Sequence, residues 1–195
     1  MLNEVKKQNK LIGFNEEFNL IKGFFNDKEK SNKLLFSGIK GIGKATFAYH
    51  LINYALSLKE DFKYNVKNNT INSNNRSYKL IKSNSHPNLF TFNFKDNKAS
   101  IEVSKIREMI EFANKSSFND DIKIILIDNV EFLNKSSSNA LLKILEEENT
   151  KLFFILIQNS RKKILETIKS RCLKFNLKLN KKYKNEILYL FMDKN

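Results

Sequence analysis

The chain has 195 residues, with 35 lysines and arginines against 21 aspartates and glutamates, for a formal net charge of +14. Its single cysteine excludes a disulfide framework and any Cys-rich zinc site, and no apolar run is long enough to cross a bilayer. Residues 1–7 lack an apolar signal segment, so a soluble cytoplasmic protein is expected. The positive charge favours an anionic partner, nucleic acid first. Lys, Asn and Ile are abundant throughout, however, and AT-rich coding alone produces that bias, so the charge adds only mild support.

In chain order, Leu11-Ile12-Gly13-Phe14 ends a polar N-terminus, and Asn15 is placed to cap a helix from Glu16 to about Phe25. Residues 26–32 form a polar connector. Lys33–Ser37 reads as a buried strand, Gly38–Thr46 as a glycine-rich turn and 44–58 as a helix. Between 59 and 85 the Asn-rich run 65–77 has almost nothing to bury and is expected to be an exposed, mobile insertion. His86-Pro87-Asn88 punctuates its end. Leu89–Phe94 alternates as a strand, and Ser104 starts a helix to about Lys115 with Ile106, Met109, Ile110 and Ala113 inward. Ile122–Asp128 is a second buried strand, serines 136–138 open a helix to Glu148, and Leu152–Ile157 is a third buried strand. A short helix over 161–169, a strand over 173–177 and a helix from Lys181 to Met192 follow. Apolar strands alternating with helices predict a parallel α/β sheet covered on both faces, with ligands at the carboxyl ends of its strands.

Gly38-Ile39-Lys40-Gly41-Ile42-Gly43-Lys44-Ala45-Thr46 lies at such an end. Strand, glycine turn, lysine and helix form a phosphate cradle of the P-loop kind, with backbone N–H groups closing on an anion. The residue after the lysine must carry a hydroxyl to hold Mg²⁺, and here it is Ala45. Thr46 is rotated by roughly 100° and is a poor substitute. Asp128 ends a strand as the Mg²⁺-steadying aspartate of P-loop proteins does, but Asn129, an amide, follows it where hydrolytic relatives place a glutamate base. Glu131 is assigned to the next turn. The candidate nucleotide site is therefore Gly38, Gly41, Gly43, Lys44, Thr46 and Asp128, degenerate at the metal and base positions. Arg171, in Ser170-Arg171-Cys172, has the chemistry of an arginine finger, although a lone arginine is more often a surface residue. Cys172 reads as a small buried side chain. His50 and His86 lack metal-ligand spacing, and Lys135 and Lys143 read as plain exposed lysines.

Together these pieces resemble the clamp-loader subunits of bacterial DNA polymerase III, of the delta-prime kind, over most of residues 11–177. The resemblance rests on the glycine loop, Ser85-His86-Pro87-Asn88-Leu89, Ile101–Arg107, Asn139–Glu147 and Ser170-Arg171-Cys172. It implies an AAA+ fold over 1–178, with 179–195 as the start of a helical lid, and the family's lid and collar domains largely missing. It further implies a non-hydrolysing member that requires no cofactor and binds ATP or ADP, if at all, passively. Arg171 would complete the ATP site of an adjacent motor subunit. The implied partners are motor and delta-type loader subunits, the sliding clamp indirectly and primed DNA, with no membrane. The family's four-cysteine zinc module has no counterpart in the Asn-rich insertion, so no zinc is expected. Gln158-Asn159 replaces the usual small hydroxyl residue after the third strand. Two alternatives stay open: an active motor-type ATPase and a simple basic DNA-binding module.

Overall fold

A computed structural model describes residues 5–27, 29–92 and 103–192. Five strands, β1 (Lys33–Gly38), β2 (Leu89–Phe92), β3 (Lys123–Ile127), β4 (Leu152–Asn159) and β5 (Leu173–Asn176), form one sheet in the order β2-β3-β4-β1-β5. Every pairing is parallel. The expected strand residues Asn93 and Phe94, and Ile101-Glu102, lie outside the described residues.

The apolar runs of β1, β3 and β4 are buried on both faces, as a parallel sheet under helices requires. Alternate residues serve opposite cores. Leu34, Phe36, Ile124, Leu126, Ile155 and Ile157 pack under α1 (Asn15–Ile21) and α2 (Lys44–Leu56). Leu35, Ile125, Ile127, Phe154 and Leu156 pack under α4 (Val103–Asn114) and α5 (Lys135–Glu146) on the other face. β1 is followed by a helix on the first face and β4 by one on the second, so the path of the chain reverses between them. That is where an open α/β sheet leaves a crevice at its carboxyl edge.

Several local signals resolve differently from expectation. The first helix begins at Asn15 itself, with Phe14 as the left-handed residue before it, and tightens into a 3₁₀ turn at Lys22–Phe25. Asn15 makes no cap and instead accepts from the Asn69 amide. Helix α4 starts one residue before Ser104. Asn134, rather than the serines, caps α5, its side chain accepting from Ser137 N–H at 2.8 Å. Only Glu166–Ser170 (α6) forms between β4 and β5, while the last helix, α7, runs Lys181–Met192 as read from the sequence.

The largest correction concerns residues 59–85, which fold against the body. Tyr64, Ile71, Tyr78 and Ile81 are buried, with Tyr64 stacked on Phe18 at 5.1 Å. Fully buried Asn75 caps α3 (Arg76–Lys82), accepts from the Asn53 amide and donates to Phe62 O. Glu60 accepts from the N–H groups of Arg76 and Ser77. The segment has something to bury because its apolar residues stand just outside or singly within the asparagine run. The asparagines supply backbone partners that water would otherwise provide.

Candidate functional site: a glycine loop and an exposed arginine

The glycine loop leaves β1 at the reversal point. Gly38 pairs in register with Asn159 of β4, and its carbonyl accepts from Ser160 N–H at 3.0 Å. A Cβ at Gly38 would lie 2.8 Å from the Leu177 carbonyl oxygen and 2.7 Å from Ile42 Cδ1, so only glycine fits. Gly41 and Gly43 adopt φ of 89° and 94°, a region that costs other residues strain, and Gly43 opens α2. The first-turn N–H groups of α2 thus have no acceptor within the helix and face the loop, the geometry of an anion cradle.

Beside this loop is a cavity of about 580 Å³. Lys40, Gly41, Ile42, Gly43 and Thr46 form one wall. Gln8, Lys10, Leu11, Ile12 and Phe14 form a second, and Leu179, Lys184 and Ile187, at and just before α7, form a third. The once-unpromising insertion holds the second wall in place: Leu11 N–H donates to Asn69 O at 2.9 Å and Ile71 N–H to Asn9 O at 2.7 Å. Gly13 lets the N-terminal segment meet the last helix and the turn before it, since a Cβ there would lie 2.5 Å from Leu179 Cδ1 and 3.4 Å from Tyr183 Cγ on α7. A volume of this size, largely apolar with a few polar groups on its walls, suits a nucleotide.

Lys44 and Asp128 contribute nothing to these walls. Lys44 is 7% exposed, and its ammonium donates to the loop's own carbonyls at Gly38 and Ile39, both at 2.8 Å. Burial lowers its pKa, against the pull of the Asp128 and Glu131 carboxylates. Burial likewise raises the Asp128 carboxyl, with Glu131 adding to the rise, against an Asn129 backbone hydrogen bond and the Lys44 charge. Glu131 lies in the 3₁₀ turn Val130–Phe132, and its carboxylate accepts from Asn159 N–H at 3.2 Å. Sequence reading assigned it to that turn but missed that it faces the site, because a 3₁₀ turn's side-chain directions are not legible from spacing. Asn129 takes the left-handed conformation at φ 56°, which asparagine tolerates and a glutamate resists. Gln158 is buried and donates from its side-chain amide to Lys162 O at 2.7 Å.

The donors present do not fit a magnesium ion. Ala45 packs its methyl against the core, and among the described residues the cavity walls hold three lysines and no carboxylate. Among the described residues, no group of three or more His, Cys, Asp or Glu side chains gathers as a metal site would require. His50 is instead a core residue, bonded through Nε2 to Gln8 O and through Nδ1 to the Tyr64 hydroxyl. Cys172 is buried, and that burial pushes its thiol up to about 12, against a smaller lowering by Lys33.

Arg171 stands elsewhere. It ends α6 just before β5, whose Leu173 pairs with Leu34 near the start of β1. The loop follows the far end of β1, so the start of β5, which Arg171 precedes, and the loop lie about 13 Å apart along the strands, four residues at about 3.3 Å each. Its side chain is about one-third exposed (34%), donates to Thr167 O at 3.0 Å and ion-pairs with Glu146. Arg171 therefore does not belong to the cluster formed by the other candidate residues.

The profile of the family described as DNA polymerase III, delta subunit, matches residues 14–181. The chain belongs to this family of clamp-loader-type subunits. A search of curated proteins finds no match. Among solved structures, the chain is similar to a DNA polymerase III gamma-subunit-related protein from Thermotoga maritima, with a TM-score of 0.62 and 19% identity over 86% of this chain and 48% of that one. It is also similar to C. elegans PCH-2, with a TM-score of 0.55 and 13% identity over 90% of this chain and 45% of that one. The AAA+-type fold expected from sequence is the fold observed. The clamp-loader chain spans about half the length of these two structures. Among its described residues no helix is long and apolar enough to cross a membrane.

Proposed function

We propose that this clamp-loader family member is a non-hydrolysing subunit of the delta-prime kind, acting in the cytoplasm on primed DNA with motor and delta-type partners. Its own frame takes ATP or ADP without turning it over, and Arg171 completes the nucleotide site of a neighbouring motor subunit. The observation that carries this reading is the position of Arg171. It is too far from its own loop to serve it, yet its guanidinium is at the surface, oriented by Glu146 and the Thr167 carbonyl. A planar guanidinium presented this way stabilises charge on a transferring phosphoryl group of another chain.

The test is ATP hydrolysis by a loader reconstituted with its motor subunits. Arginine fingers contribute roughly 10³-fold or more, so Arg171→Ala should silence the site it serves and lower the total rate. Glu146→Gln should lower the rate less, by loosening the orientation. An unchanged rate with Arg171→Ala removes the trans-acting role.

A second reading, an active motor-type ATPase, has one observation in its favour: Glu131 is a carboxylate close enough to Lys44 to shift its pKa. Under that reading the chain alone hydrolyses ATP with magnesium, and Glu131→Gln abolishes the activity.

A further inference from the structure

We propose, resting on the nucleotide-scaffold reading, that the cavity takes a nucleoside di- or triphosphate free of divalent cation, with Lys40 and Lys184 neutralising its phosphates. Three observations meet here. Position 45 gives no oxygen, its methyl turned into the core. Among the described residues, the side-chain charges on the cavity walls are the ammonium groups of Lys10, Lys40 and Lys184, without a carboxylate that would favour a metal ion. Lys40 and Lys184 are exposed and make no ion pair among the described residues, whereas Lys10 lies 3.8 Å from Glu186 and is partly neutralised. Among the described residues two unpaired cations thus line the cavity, one on the glycine loop and one on the last helix.

An ammonium is a compact point charge on a flexible stem, and it meets phosphate oxygens directly where no metal intervenes. The apolar lining, Phe14, Leu179 and Ile187 among it, suits the face of a base. A ligand held between Lys40 and Lys184 would tie α7 to the loop. Occupancy then becomes a structural linkage between the last helix and the sheet, and no step of chemistry is required.

The test is calorimetric titration of the full chain with ADP in excess EDTA and again in excess magnesium, with amide hydrogen exchange of α7 followed in parallel. Binding at least as tight in EDTA as in magnesium is expected, with slower exchange in α7. Lys184→Ala should weaken binding about tenfold, the loss of one charge-assisted contact, and Lys184→Arg should retain it. Lys40→Ala gives an independent second variant on the loop, and circular dichroism checks that each folds. Binding that appears only with magnesium, or wild-type affinity in both alanine variants, overturns the cation-free site while leaving the scaffold standing. Absence of binding in both buffers removes the nucleotide scaffold as well. Neither result bears on Arg171, whose test is separate.

Discussion

Acidification should loosen this protein in part through His50. It is fully buried on α2. Its Nε2–H donates to Gln8 O at 3.0 Å, leaving Nδ1 to accept from the Tyr64 hydroxyl at 2.9 Å. The neutral ring is thus satisfied on both sides. Burial lowers its pKa from 6.5 to about 4, against a smaller upward pull from the Gln8 carbonyl. The folded value lies below the unfolded one, so between them the unfolded chain binds a proton that the folded chain refuses. The stability contribution is complete above pH 6.5 and is lost as pH falls towards 4. At about 1.4 kcal/mol for each pH unit, the full loss amounts to about 3 kcal/mol, of which about 2 kcal/mol has gone by pH ~5. Urea midpoints of the wild type and His50→Phe, measured from neutral pH down to about pH 5, separate this contribution from that of half-buried His86 and of the carboxylates. The variant should be less stable at neutrality, because Gln8 O and Tyr64 lose their partner, but its stability should fall less steeply with acid. Parallel pH profiles for the two proteins would refute the reasoning. Because Gln8 lines the cavity, nucleotide affinity should fall over the same pH range.

Two further perturbations test the loop and its support. Gly38→Ala places a methyl 2.8 Å from the Leu177 backbone oxygen, which cannot rotate away as Ile42 can. A loss of about 1–3 kcal/mol is expected from thermal or urea unfolding, and unchanged stability would mean that the loop yields freely. Asn75→Ala removes the cap of α3 and strands the Asn53 amide, for a cost of about 3 kcal/mol. If residues 59–85 were as independent of the body as their composition suggests, that substitution would leave the unfolding midpoint unchanged.

The architecture was legible because its signals are local. Uniformly apolar strands such as Ile124–Ile127 and Leu152–Ile157 must be buried on both faces, and that burial, with helices between them, leaves a parallel sheet as the economical arrangement. The glycine loop was legible for the same reason: three glycines before a lysine specify a backbone path whatever surrounds them. That position 45 carries no hydroxyl and position 129 no carboxylate is likewise a matter of residue identity alone. Folding of the Asn-rich segment was hidden because its stability comes from distant partners. Tyr64 depends on Phe18, Asn75 on Asn53, and Asn69 on Leu11. The cavity's composition was hidden too, because Lys10, Lys40 and Lys184 are far apart in the chain and meet only when Gly13 lets the N-terminal segment close on the last helix. Residue types and their spacing determined which chemistry the loop had kept and lost. Long-range packing decided that Lys44 turns back on its own loop, that Glu131 faces it, and that Arg171 sits away from that loop, held by Glu146 and the Thr167 carbonyl.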